Sequence, residues 1–409
     1  MTNRIHAYTS ITSNYLPKAR VLVESIKRVD PDVQFHLVLS DNVPIGFDLT
    51  AELFDNVIFA EELVTKGFPQ WAFSHSVVEL CTAVKGVALE HIFSNFDASQ
   101  VFYFDPDMVV FARLDELQQE LAHCSLVLTP HQTDPEINDM GILDNEMSSL
   151  RHGVFNLGFV GVRNIAEGRR FSRWWADRLL KYCYDDMPLG LFTDQKWVNL
   201  APCFFDDVGI LRSPAFNVAT WNLTNRKATG SLAEGIRING EPLGFYHFSG
   251  FDSGDQRIML ERYGKESPVL YKLRDWYIDE CERNGQSTLG SISSKYDHFN
   301  NGEVIGRGYR LLYRQRIDLQ RAFPNPFQVA GSDCYKAWYE AHPQEHPPSG
   351  AVRITSGIPI ATVLSDLARY FNSRAVAGRS GSRLKRLALR FFVRFLQLGA
   401  RVSGRGAKT

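Results

Sequence analysis

Val101-Phe102-Tyr103-Phe104-Asp105-Pro106-Asp107-Met108-Val109-Val110 is the stretch on which the fold of this chain turns. β-Branched and aromatic residues dominate it, which reads as a buried strand, and two carboxylates stand where that strand ends. In an extended backbone, side chains two residues apart project to the same side, so Asp105 and Asp107 are expected to converge on one point. Pro106 fixes its own φ and offers no N–H, which suits a strand stopping at a site. Two acidic oxygens on a strand end suit a hard divalent cation, and that cation suits a phosphate-bearing ligand. The competing reading is a polar cap between strand and loop.

Working outward, residues 4–9 read as a strand and 16–29 as a helix, with Val21, Leu22, Ser25 and Ile26 on its inner face. Residues 35–39 form a second expected strand ending in Ser40-Asp41, 57–59 a weak third, and 71–93 a helix leading into the Asp105 strand. That order predicts an α/β fold, Rossmann-like, with a mostly parallel central sheet flanked by helices. Ligands in such sheets sit beyond the carboxyl ends of the strands, where Tyr8-Thr9-Ser10, Ser40-Asp41 and Asp105-Pro106-Asp107 all fall. Downstream, 124–129 reads as a strand ending in Pro130-His131, and 155–162 as another whose glycines allow close backbone approach. Residues 171–182 read as an amphipathic helix carrying Trp174 and Trp175; these two, Trp197 and Trp221 are assigned to the core.

A chain of 409 residues with 44% hydrophobic and 22% charged residues calls for a sizeable soluble core and more than one unit. The expected division is a catalytic domain over 1–275, a smaller, mainly helical module over 276–372, a linker over 373–382 and a tail over 383–409. A net charge of −1 gives no reason to expect nucleic acid as a partner. Its distribution is uneven, because no acidic residue follows Asp366 while Arg and Lys continue to Lys408. In the tail, Leu384, Leu387, Phe391, Phe395 and Leu398 recur at helical spacing, and Arg383, Arg386, Arg390, Arg394 and Arg401 lie on a separate face. This is a basic amphipathic helix suited to an anionic membrane surface, or else to the chain's own body or a partner. The six cysteines have no CxxC pair or zinc-like spacing and read as reduced thiols. No signal-peptide pattern opens the chain and no run of eighteen apolar residues occurs, so a cytoplasmic protein, peripheral at the inner face of the membrane, is expected.

The ordered set Tyr8-Thr9-Ser10, Asp105-Pro106-Asp107, Asn156-Leu157-Gly158, Asp194-Gln195 and His247-Phe248-Ser249-Gly250 resembles GT-A glycosyltransferases. It is similar to the family 8-like, glycogenin and lipopolysaccharide galactosyltransferase type, and more so to bacterial surface-polysaccharide enzymes. Those carry a Glu-Leu-x-Thr-Ala-x-Lys segment before Asp-Pro-Asp, here Glu79 to Lys85, and a Trp-Asn-Leu, here 221–223. The likeness extends over roughly residues 3–345 and leaves the tail outside.

The resemblance implies Mn²⁺ or Mg²⁺ held by Asp105, Asp107 and His247, and an imidazole beside two carboxylates leans toward Mn²⁺. It implies that Ala7, Tyr8, Thr9, Ser10 and Tyr15, in the first strand-end loop, cup the base and ribose of a nucleotide sugar. Lys85 is then a cation for the diphosphate or for the Asp105 motif, the alternative being a lysine at a helix C-terminus before Gly86. Asn156 and Gly158 match a loop that holds sugar and acceptor, and Gly250 belongs to the donor side. Asp194 and Gln195 match the pair beneath the anomeric carbon in retaining members, the alternative being a helix N-cap at Asp194. His131 is a lesser candidate. The implied activity is transfer of a hexose from a nucleoside diphosphate sugar, a UDP sugar foremost, to a saccharide or lipid-linked acceptor in surface-polysaccharide assembly, with retention. Two other classes stay open: a sugar-nucleotide pyrophosphorylase, which would need a Gly-rich basic loop where residues 9–18 stand, and a non-catalytic sugar-nucleotide-binding scaffold.

Overall fold

The computed structural model describes residues 4–44 and 46–347. Its strands, in chain order, are β1 (Ile5–Ile11), β2 (Gln34–Leu39), β3 (Asn56–Phe59), β4 (Gln100–Phe104), β5 (Met108–Val110), β6 (Leu126–Pro130) and β7 (Phe155–Arg163). A two-stranded hairpin, β8 (Asp185–Asp186) and β9 (Leu191–Phe192), precedes β10 (Val208–Ile210). A small antiparallel sheet of β11 (Ala228–Ser231), β12 (Gly235–Ile238) and β13 (Glu241–Pro242) leads to β14 (Phe245–His247). Seven strands form the central sheet in the order β10-β6-β7-β4-β1-β2-β3. Only β7 runs against its neighbours, so the expected mostly parallel sheet is what the chain builds.

Every residue of β1 and β4 is buried, as strands covered on both faces must be. Alternation along β4 sends Val101 and Tyr103 to one hydrophobic cluster and Phe102 and Phe104 to the other. The first cluster is closed by the helices Lys85–Asn95 and Ala166–Tyr182, through Leu89, Ile92, Trp175 and Leu179. The second is closed by the helix Leu16–Val29, through Leu22 and Ile26. On that helix Ser25 does more than pack: its hydroxyl donates to Leu22 O (2.7 Å) and accepts from Val110 N (3.0 Å), clamping β5 to the helix.

Three expected boundaries are corrected. The expected 4–9 strand forms and continues to Ile11 as β1, so Ala7 to Ser10 lie inside it and not in the strand-end loop that the resemblance implied. The 101–110 stretch is two strands, β4 and β5, with the acidic pair between them. The helix expected over 71–93 is three helices, Phe68–Phe73, Val77–Ala83 and Lys85–Asn95, because Ser76 and Glu79 form a capping box that starts a new one.

After the helix Val269–Arg283, the helices Arg307–Gln315, Ile317–Ala322 and Tyr335–Ala341 gather around Phe73 with Phe299, Tyr313 and Tyr335. Buried Arg310 donates to Phe73 O (3.3 Å), His75 O (2.5 Å) and Tyr296 O (2.6 Å). It thereby anchors the turn that precedes Glu79 and Lys85. Trp175 is fully buried and Trp174 and Trp197 pack on the same cluster, while all six cysteines are free thiols. No helix among the described residues is long and apolar enough to cross a membrane. The linker expected over 373–382 and the amphipathic helix over 383–409 lie outside the described residues.

Candidate functional site

The Asp105 motif is a turn, not an extended end: Met108 N donates to Asp105 O (3.1 Å), and Pro106 takes the position where a fixed φ favours turning. The carboxylates still converge because both flanks are held. Asp105 N donates to Gly158 O (2.7 Å) on β7, and Phe248 N donates to Asp107 O (2.9 Å) beyond β14. The antiparallel pairing of β14 with β5 sets His247 opposite Met108. His247 Nε2 therefore lies 3.1 Å from an Asp107 carboxylate oxygen and 3.8 Å from one of Asp105. One ligand atom from each of the three falls within 4.8 Å of the others, a donor set of two carboxylates and one imidazole that fits a divalent cation.

The His247 tautomer follows from its neighbours. Asn156 Oδ1 accepts from Gly158 N (3.2 Å), which fixes that end of the amide as the oxygen. The same oxygen lies 3.2 Å from His247 Nδ1, so Nδ1 carries the proton and Nε2 turns toward the carboxylates. Asn156 Nδ2 in turn donates to His131 Nε2 (3.2 Å), which brings His131 into the site. Burial lowers the pKa of His131 to about 4, with His247 adding to the effect, so it is neutral. Burial acts against protonation of His247 too, but Asp107 and Asp105 outweigh it and raise its pKa. Burial would raise Asp107, and His247 more than reverses it. Gly158 is required here, since a Cβ would sit 2.5 Å from Met108, 2.6 Å from His247 and 2.8 Å from Asn156.

Lys85 opens its helix instead of closing one, which removes the C-terminal alternative. Its buried ammonium lies 3.2 Å from Asp105 and 3.0 Å from Asp194, donates to Leu157 O (3.1 Å), and sits 4.2 Å from the centre of the Tyr103 ring. Burial disfavours that charge, but the two carboxylates prevail and raise its pKa. Asp194 makes no capping bond at the helix Gln195–Val198, so the N-cap alternative fails. Its Oδ1 accepts from Thr193 (3.1 Å), while Oδ2, though near Lys85, receives no aligned hydrogen bond. Burial raises the Asp194 carboxyl and Lys85 opposes the rise. Thr193 itself holds φ at +44°, a costly conformation for a β-branched residue, immediately before the buried Asp194.

A cleft of about 850 Å³ opens over these groups, bordered by Lys85, Asp105, Asn156, Gly158, Asp194, Gln195, His247 and Gly250. Gln195 is engaged at both ends: Oε1 accepts from Leu157 N (3.1 Å) and Nε2 donates to His152 O (3.2 Å). Ala7, Tyr8, Thr9, Ser10 and Tyr15 do not border this cleft. Ala7 to Ser10 are buried in β1, Tyr8 donates to Lys85 O (2.9 Å), and Tyr15 donates to Asp252 (2.6 Å). The carboxyl ends of β1 and β2 face a second recess, about 940 Å³, lined by Ser13, Asp41 and Tyr296 among others. Trp221, assigned to the core, instead borders the cleft with its ring edge-on to His131 and His247. Sequence reasoning also passed over Asp144, Asn145, Ser148, Ser149 and His152, which line the cleft from one helical run. The polar spacing 144/145/148/149/152 is a helix-face signal that could have found them.

No family model matches the chain. Two Bacillus subtilis (strain 168) proteins are similar in sequence, both described as uncharacterized. YfnD is 33% identical over 176 residues, 42% of this chain and 54% of its own. YfnF is 26% identical over 174 residues, 42% of this chain and 57% of its own. The chain thus spans about half the length of the curated relatives it matches. Among solved structures, it is similar to the galactosyltransferase LgtC in complex with donor and acceptor sugar analogs, at 16% identity and a TM-score of 0.41, covering 71% of this chain and 98% of that one. The glycosyltransferase GlyE of Streptococcus pneumoniae TIGR4 is similar at 16% identity and a TM-score of 0.39, covering 73% and 67%.

Proposed function

We propose that this chain is a metal-dependent glycosyltransferase that moves a hexose from a nucleoside diphosphate sugar, a UDP sugar foremost, to a saccharide or lipid-linked acceptor with retention. One observation carries the reading: a buried lysine ties a buried carboxylate, Asp194, to the Asp105–Asp107–His247 cluster at a cleft floor. A phosphate-binding end and an acidic end then lie side by side, which is what breaking a sugar–phosphate bond requires.

In this reading Asp105, Asp107 and His247 hold the cation, Mn²⁺ ahead of Mg²⁺. Once bound, it neutralises charge that develops on the leaving diphosphate. Lys85 sits between Asp105 and Asp194 and opposes the rise that burial imposes on the Asp194 carboxyl, and Asn156 holds His247 with Nε2 turned to the metal side. Asp194, whose Oδ2 has no aligned donor, serves the sugar, accepting from a hydroxyl or facing positive charge at the anomeric carbon. Gln195 braces Leu157 and the end of the 147–152 helix, and so fixes the wall against which the sugar lies. The recess at the ends of β1 and β2 is where the base and ribose would seat, beside Asp41 and Tyr296. The basic tail, residues 383–409, would hold the enzyme at the anionic inner face of the membrane, in surface-polysaccharide assembly.

A panel of nucleoside diphosphate sugars, each with Mn²⁺ and with EDTA, tests the reading by thermal protection and by donor hydrolysis. One donor should raise Tm and turn over only with metal, protection at a hundredfold excess over Kd amounting to about 2.7 kcal/mol. No protection and no turnover by any donor in the presence of metal would overturn it.

A further inference from the structure

Asn138 caps a continuous helical run, its side chain accepting from Gly141 N (2.9 Å). The run passes through Asp139–Gly141, a π turn at Ile142–Glu146 and Met147–His152. Its inner face lines the cleft. Its outer face is a row of apolar side chains, Met140, Leu143, Met147 and Leu150, at helical spacing, with Ile137 exposed just ahead of the cap. Ile137 is 95% exposed and Leu150 72%, which is unusual for a contiguous row on a soluble surface. On the neighbouring helix Asp255–Tyr263, Ile258 is exposed as well.

Three acidic residues of this segment, Glu136, Asp144 and Glu146, are hydrogen-bonded, while Asp139 is exposed. Glu136 accepts from Asn145 (2.6 Å) and Thr224 (2.7 Å), and Glu146 accepts from Glu136 N (2.7 Å). Asp144 is held by Arg262 and by Tyr263 (2.8 Å). Asp144 is ion-paired with Arg262, whereas Glu136, Asp139, Glu146 and Arg151 have no ion pair among the described residues, which leaves the segment acidic on balance. Contact with lipid would therefore rest on the apolar row alone and be strongest on a neutral surface.

We propose that the outer face of the 137–150 segment is a membrane-contact surface that sets the mouth of the cleft against the headgroup layer of a bilayer. With Ile137 included, the row is about 20 Å long at 1.5 Å per residue and one side chain wide. So narrow a row falls short of the roughly 800 Å² per partner that a stable protein interface needs. An interfacial helix needs only one apolar face, sunk about 5–10 Å. Because the opposite face of the same helix lines the cleft, sinking the row delivers the headgroup of a membrane lipid to the site. The inference rests on the proposed acceptor being lipid-linked, and it is separate from the tail.

The test uses the full chain in a Cys203→Ser background, with a nitroxide at Leu150→Cys or, as control, at the exposed Leu232→Cys, far along the chain. With vesicles of neutral phosphatidylcholine at high salt, the label at 150 should become more accessible to oxygen than to a water-soluble relaxant, and the label at 232 should not. Leu143→Glu with Leu150→Glu should lower vesicle partitioning about tenfold or more and leave transfer to a soluble acceptor analogue unchanged. A label at 150 that vesicles do not alter would overturn the proposal. So would a label already immobilised without vesicles: concentration-dependent immobilisation would assign the row to a second copy, and concentration-independent immobilisation to the chain itself. Donor and metal are absent from the label and partitioning measurements, so their failure leaves the transferase reading to the nucleotide-sugar panel.

Discussion

Replacing Lys85 by Met keeps the length and apolar stem of the side chain and removes its charge. The ammonium lies 3.2 Å from Asp105 and 3.0 Å from Asp194, and Asp194 is almost wholly buried. Deleting one partner of a buried ion pair costs about 3–5 kcal/mol, because the other charge is left without compensation. Part of that cost can be avoided by protonation. Burial already holds the Asp194 carboxyl above its usual value and Lys85 opposes the rise, so without the lysine its pKa climbs further. An acid with a raised folded-state pKa binds its proton more tightly folded than unfolded. Its folded form is therefore favoured at low pH, and that advantage is lost as pH rises through the folded pKa. The Lys85→Met penalty should accordingly be small in mild acid and approach the full value at pH 8. Urea unfolding of both proteins in EDTA, across mild acid to pH 8, measures it, with metal out of both. Adding Asp194→Asn should restore most of the stability lost at pH 8, a coupling that a double-mutant cycle reads directly. A penalty under about 1 kcal/mol at every pH, or no rescue by Asp194→Asn, would refute the claim that this lysine balances the buried carboxylate.

Asp107→Ala should abolish transfer and Mn²⁺ binding with native circular dichroism retained; full activity in excess EDTA would contradict it. Asn156→Ala should weaken Mn²⁺ binding by about 10–100-fold, measured by titration without donor, because His247 loses the partner that sets its tautomer. Asp194→Asn should lower kcat far more than donor affinity, since the loss falls on the transition state; an unchanged kcat would return the residue to a structural role. Removing residues 383–409 should leave transfer to a soluble acceptor analogue intact and reduce binding to anionic vesicles in a salt-dependent way; unaltered vesicle binding would contradict it.

Much of the architecture is written locally. The β-branched run before Asp105, the 16–29 helix and the β7 glycines are short-range patterns that an extended or helical backbone imposes on its own residues, and each stands where it was expected. The same holds for which residue types could carry chemistry, since a carboxylate pair beside Pro106 and a His-Phe-Ser-Gly segment mark themselves. What they do together depends on distance, which only the tertiary structure decides. His247 meets Asp107 because β14 pairs with β5, a contact 140 residues apart in the chain. Lys85 and Asp194 each had a plausible local role, at a helix end and a helix cap, and only burial side by side made them an ion pair. The resemblance places Ala7 to Ser10 in a strand-end loop, yet β4 pairs through Tyr8 and β2 through Ile11, which carries the strand on and buries them. The Ile137 to Leu150 row was invisible for the opposite reason. Apolar residues at helical spacing ordinarily mean core, and nothing in a sequence says that the partner face is missing.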